Sequence, residues 1–133
     1  MKDKLIKLLD NSYAPYSKYK VAAILITKDG KEFSGVNIEN ASYGATVCAE
    51  RVAIFKAVSE GYRKGDFKEL FIINSSNNIG SPCMLCRQVF VEFFNKDLNV
   101  TCYSFDGKSR TNTVSELCTF PFSEEDLKWK VDL

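Results

Sequence analysis

Two apolar periodicities alternate along this chain. Between Lys2 and Tyr13, Leu5, Ile6, Leu8 and Leu9 recur on one side with Lys and Asp between them. That spacing predicts an amphipathic helix ended before Pro15. Val21 to Thr27 and Lys31 to Asn37 read as two strands joined at Asp29-Gly30, a hairpin signal. Ile38 to Val47 is a loop dense in polar side chains. From Cys48 to Glu60, the spacing of Val52, Phe55, Ala57 and Val58 predicts a largely buried helix, with Thr46 as N-cap and Gly61 just past its end. Leu70 to Asn74 is a continuous apolar run, as in a strand covered on both faces. Pro82 fits the start of a helix running through Val89, Phe90, Phe93 and Phe94. Val100 to Ser104 predicts a strand, Asp106-Gly107 a turn, and Arg110 to Val114 a weak edge strand. Ser123-Glu124-Glu125-Asp126 has the pattern of a capping box opening a short terminal helix.

The order αββαβαββα implies a sheet with helices on both faces. With 133 residues and no linker, repeat or low-complexity tract, residues 1–133 are expected to form one domain. Eighteen basic residues against seventeen acidic ones, a net charge of +1, give no excess for a polyanion, which favours an uncharged small substrate over nucleic acid. The start Met1-Lys2-Asp3-Lys4 leads into a charged helix pattern and not an apolar signal core. Five cysteines without secretory context predict reduced thiols or metal ligands in a cytoplasmic protein. The chain has no histidine. Ser-His-Asp and Cys-His hydrolases are thereby excluded within it, and a general base must be Glu, Asp, Lys or Tyr.

Candidate chemistry gathers at Cys48-Ala49-Glu50-Arg51 and Pro82-Cys83-Met84-Leu85-Cys86. Soft thiolates select zinc, and three protein ligands leave a fourth tetrahedral position for water or substrate. Each cysteine falls near a predicted helix start, where unpaired N–H groups favour the thiolate. Glu50 stands close enough to Cys48 to move protons at the metal without ligating it, the pattern of zinc deaminases. Arg51 could offset the charge of three thiolates by donating to the ligand sulfurs. Cys83 and Cys86 could instead form a redox pair, or join Cys102 or Cys118 in a structural four-cysteine zinc site. Cys102 and Cys118 themselves read as packing residues.

Four segments together make the chain resemble the small homotetrameric zinc-dependent cytidine deaminases. They are Tyr13-Ala14-Pro15-Tyr16-Ser17-Lys18-Tyr19, Asn37-Ile38-Glu39-Asn40-Ala41-Ser42-Tyr43, Cys48-Ala49-Glu50-Arg51 and Ser81-Pro82-Cys83 with Cys86-Arg87-Gln88. The resemblance implies a three-layer α/β/α sandwich with a mixed five-stranded sheet. It implies one Zn²⁺ per subunit on Cys48, Cys83 and Cys86, with Glu50 as proton shuttle. Asn37 and Glu39 would meet the ribose, with Tyr43 beside them. The Ala49 backbone would meet the pyrimidine carbonyl, Tyr19 would stack on the base where the family usually has Phe, and the Ser81 carbonyl would meet the departing amine. Phe122 would reach a neighbouring subunit's base, so that sites are shared. The implied reaction is hydrolysis of cytidine and 2′-deoxycytidine to the uridines and ammonia, a step of pyrimidine salvage. The nearest alternative is deamination of a modified nucleoside of the blasticidin type.

Overall fold

The computed structural model describes residues 1–130. Helix α1 covers Lys2–Leu8, strands β1 and β2 cover Val21–Thr27 and Glu32–Val36, and helix α2 covers Ala49–Ser59. Strand β3 is Phe67–Asn74, helix α3 is Met84–Phe93, and strands β4 and β5 are Asn99–Tyr103 and Ser109–Thr113. A four-residue helix α4, Val114–Leu117, and a 3₁₀ segment, Glu124–Lys130, follow.

The five strands form one sheet in the order β2-β1-β3-β4-β5, antiparallel except for the parallel pair β3–β4. Strand alternation sorts the core into two layers. Ala22, Ile24 and Ile73 face α1 with Leu5 and Leu9, while Ala23, Leu25, Leu70, Ile72, Val100 and Cys102 face α2 and α3. The architecture is therefore a three-layer sandwich. Leu5, wholly buried, contributes on the order of 1.5–3 kcal/mol to holding α1 on its face.

Helix α2 lies unusually close to the sheet because β2 carries Gly35. A Cβ at that position would come within 2.3 Å of the Ala49 carbonyl oxygen and 2.7 Å of the Ala53 nitrogen. The first turn of α2 is thus seated directly on the sheet, and Ala49 and Glu50 are buried with it.

Several boundaries differ from the sequence reading. The first helix stops at Leu8 and tightens into a 3₁₀ turn over Leu9–Asn11, because Tyr13 pairs in parallel with Ile38 and must be extended. Thr46 is not the N-cap of α2. Val47 exchanges backbone hydrogen bonds with Ile38, both 3.0 Å, so the chain stays extended through that residue and Cys48 becomes the N-cap. Gly61 does take the left-handed conformation past the helix end, at φ +101°. Pro82 precedes the N-cap of α3, which is Cys83. The expected terminal α-helix is the 3₁₀ segment, held at its start by a hydrogen bond from the Ser123 N–H to Asp126 Oδ2 (2.9 Å). A full capping box forms elsewhere, at Thr113 and Glu116, and opens α4.

Candidate active site

The ends of the parallel strands β3 and β4 lie side by side, and the chain leaving β3 loops through residues 75–83 into α3. Open α/β sheets place their ligands outside such strand ends. The helix starts of α2 and α3 meet there. Cys48 and Cys83 are their N-caps, both extended, at φ −71°, ψ 154° and φ −66°, ψ 164°. Cys86 follows in the first turn of α3. The three sulfur atoms lie within 4.8 Å of one another, with Cys48 and Cys83 at 3.6 Å. Tetrahedral zinc with ~2.3 Å Zn–S bonds has S···S edges of about 3.8 Å. The donor set and its spacing fit zinc.

The electrostatics agree with that fit. Arg51 Nη2 donates to Cys48 Sγ at 3.4 Å, and Arg51 Nε is buried with no partner of its own among the described residues. A hydrogen bond from Cys86, together with those from Arg51 and Cys83, pulls the Cys48 thiol down to about 5. Cys86 moves the opposite way, because its proton is held against the Cys48 thiolate and it is poorly solvated. The Arg51 guanidinium beside Cys48 favours the thiolate there. Cys102 and Cys118 lie outside the three-sulfur group, so neither completes a four-cysteine site.

Above the thiols is a cavity of about 230 Å³, lined on the sheet side by Val21, Ile72, Asn74 and Cys102. Glu50 reaches it from α2 and is only 4% exposed. Burial, the dominant influence, raises its carboxyl to about 7, with the Cys48 charge adding to the shift. The opposite wall is organised by Asn37 and Glu39, two side chains of one parity just after β2. Asn37 Oδ1 accepts from the Val21 N–H (3.0 Å) and the Ser12 hydroxyl, and its Nδ2 donates to the Tyr19 carbonyl (2.8 Å). Glu39 Oε1 accepts from the N–H groups of Tyr16 (3.0 Å) and Ser17 (3.1 Å), and Oε2 accepts from the Ser17 hydroxyl. Those bonds, the Ser17 hydroxyl first among them, hold the Glu39 carboxyl below its ordinary range.

The family model described as the cytidine and deoxycytidylate deaminase zinc-binding region matches residues 1–102. A cytidine deaminase of Sporosarcina psychrophila is 42% identical over 126 residues, 95% of this chain and 91% of that protein. One of Halalkalibacterium halodurans is 43% identical over 92% of this chain and 91% of its own length. The crystal structure of cytidine deaminase from Burkholderia pseudomallei superposes with a TM-score of 0.86 at 39% identity, covering 90% of this chain and 94% of that one. This chain belongs to the cytidine deaminase family. It is a zinc-dependent deaminase by that membership, and the Cys48, Cys83 and Cys86 sulfurs form a group able to hold the ion.

Most of the residues read from the sequence converge on this deaminase cavity. Tyr19, Asn37, Glu39, Cys48, Glu50, Ser81 and Cys83 all line it. Ala49 is fully buried directly behind Cys48. Tyr43 stands apart from it, 76% exposed, in an adjoining hollow with Tyr16, Ser17, Glu39 and Thr46. It meets Tyr16 edge to face at 6.1 Å between ring centroids. Phe122 is 58% exposed and outside the cavity, its carbonyl accepting from Gln88 Nε2 at 2.7 Å. The sequence reading missed Ser17 and the strand residues Ile72, Asn74 and Cys102 as cavity walls. For the strand residues a signal existed: they share the parity of Leu70 and Val100, the face toward α2 and α3. Cys102 is packed, as expected, but it also faces the site.

Proposed function

We propose that this chain deaminates cytidine and 2′-deoxycytidine hydrolytically, releasing ammonia and the corresponding uridine, as a pyrimidine-salvage enzyme. The observation that carries the reading is the three-thiol group with Glu50 buried beside it in a small cavity that no Lys or Arg among the described residues lines. Cys48, Cys83 and Cys86 would hold Zn²⁺, and the ion, when bound, supplies a Lewis acid that makes water a nucleophile near neutral pH. Glu50 accepts one proton of the attacking water and passes it to the pyrimidine N3. It then takes the second from the new C4 hydroxyl and gives it to the amine, which leaves as ammonia while the water's oxygen stays as the C4 carbonyl. Its raised carboxyl suits both directions of transfer. Arg51 donates to the sulfurs and offsets their charge.

A count of free valences supports the sugar assignment. Three of the roughly four lone-pair sites of the Glu39 carboxylate are taken, and one N–H of Asn37 remains. One acceptor and one donor on the lining of the same cavity match a single hydroxyl. Tyr19 would stack on the base, with the Ala49 backbone and the Ser81 carbonyl at its polar edges and Tyr43 at the sugar side. An anionic Glu39 and the lack of a lining cation among the described residues disfavour a nucleoside phosphate. Turnover of cytidine and cytidine 5′-monophosphate should therefore differ by two orders of magnitude or more in kcat/KM, an estimate from one uncompensated charge repulsion. Equal values would discard the nucleoside reading.

The chain is further read as one catalytic domain over residues 1–133 and as a cytoplasmic enzyme, consistent with free thiols. It is also read as a homotetramer with shared sites. Phe55, Met84, Leu85, Phe120 and Phe122 are all exposed in the single chain, and Phe122 would enter a neighbour's site. Light scattering should return four chain masses, whereas a monomer of full activity would remove Phe122 from the site.

A further inference from the structure

Ser17 sits between two groups that the reaction needs fixed. Its hydroxyl donates to Glu39 Oε2 and at the same time accepts from the Tyr19 N–H at 3.0 Å. Its own N–H donates to Glu39 Oε1 at 3.1 Å. Between them stands Lys18 at φ +61°, the one non-glycine residue in the left-handed region among the described residues. A lysine there is disfavoured by its own Cβ and needs surrounding bonds to hold it. The bonds present are Lys18 N–H to the Ala14 carbonyl (3.1 Å) and the Ser17 hydroxyl bridge over the turn. The chain thus wraps the Glu39 carboxylate, and the last bond of the wrap runs through one hydroxyl.

We propose that Ser17 is a positioning residue for nucleoside binding: it orients the Glu39 carboxylate so that its remaining lone pair faces the sugar hydroxyl. The inference rests on the reading of Glu39 as a sugar contact and deepens it. Without the Ser17 hydroxyl, Glu39 Oε2 loses its one donor among the described residues, and the carboxylate is held only through Oε1 by the Tyr16 and Ser17 N–H groups. The Ser17 side chain itself touches neither the base nor the thiols in this scheme, so zinc binding and proton transfer are left in place.

The test compares cytidine with 2′,3′-dideoxycytidine, which lacks both lower sugar hydroxyls, for the unmodified enzyme, Ser17→Ala and Ser17→Thr. With cytidine, Ser17→Ala should raise KM about tenfold, the scale of one hydrogen bond to a charged group, while kcat and zinc content change little. Ser17→Thr, which keeps the hydroxyl at an exposed position, should recover most of that loss. With the dideoxy nucleoside the same Ala substitution should cost only about twofold, since no hydroxyl remains to be read. An equal penalty on both substrates would overturn the role of Ser17 while leaving Glu39 as the sugar contact. An unmodified enzyme that treats both nucleosides alike would overturn the sugar reading itself, and Ser17 with it.

Discussion

Glu50 and Arg51 are neighbours in sequence with opposite charges, and their surroundings suit each to the role proposed for it. Glu50 is enclosed behind Cys48 and loses solvation, which makes its carboxyl hold a proton near neutrality. Arg51 points back along the same turn, donates to Cys48 and keeps a second buried N–H without a partner among the described residues. A thiolate cluster gives that N–H a natural acceptor. Arg51→Ala should therefore weaken zinc affinity by roughly 10- to 100-fold, as loss of a hydrogen bond to a metal ligand commonly does. Competition with a chromophoric chelator measures it, and unchanged affinity would remove Arg51 from the metal's surroundings. Which residues gather at the candidate site was legible at this scale, because thiols and a carboxylate at helix starts admit few other uses. The wrap of residues 12–19 around Asn37 and Glu39 was not. It depends on hydrogen bonds across some twenty residues, and serine in a polar turn carries no distinguishing signal.

At the scale of elements, the site is made by the seating of two helix starts on one sheet face. Gly35 allows α2 to approach, and adding a Cβ there would drive it into the Ala49 carbonyl. Gly35→Ala should destabilise the fold by about 1–3 kcal/mol, the usual cost of overpacking, and should lower activity further by displacing Cys48 and Glu50. Thermal unfolding checks the first part, and an unchanged Tm would show that α2 can shift freely. Strand and helix order were readable from periodicity, and the hairpin at Asp29-Gly30 formed as the turn residues require, with Gly30 at φ +90°. One boundary and one whole element show why others resisted. Thr46 has good capping chemistry, but the Ile38–Val47 bridge keeps the backbone extended past it. Helix α4 spans only four residues, Val114–Leu117, too few for a periodic signal.

At the scale of the whole molecule, the near-neutral charge and the absence of histidine narrowed the chemistry before any fold was known. They left zinc held by thiols as the reading that used every unusual residue. Only the geometry could separate it from a redox pair or a four-cysteine structural site. Three sulfurs converge, and Cys102 and Cys118 remain outside. No helix among the described residues is long and apolar enough to cross a membrane. Phe120 and Phe122 are exposed in the single chain, the surface that the proposed shared site would cover. The claim that joins these scales is that Glu50 moves the protons while the thiols hold the metal. The direct measurement is ultraviolet absorbance of cytidine with the unmodified enzyme and Glu50→Gln, with zinc content determined for both. The account predicts equal zinc and an unchanged fold, with turnover in the variant lowered by about 10²- to 10⁴-fold, the usual contribution of a positioned acid–base group. Undiminished turnover by Glu50→Gln would contradict it.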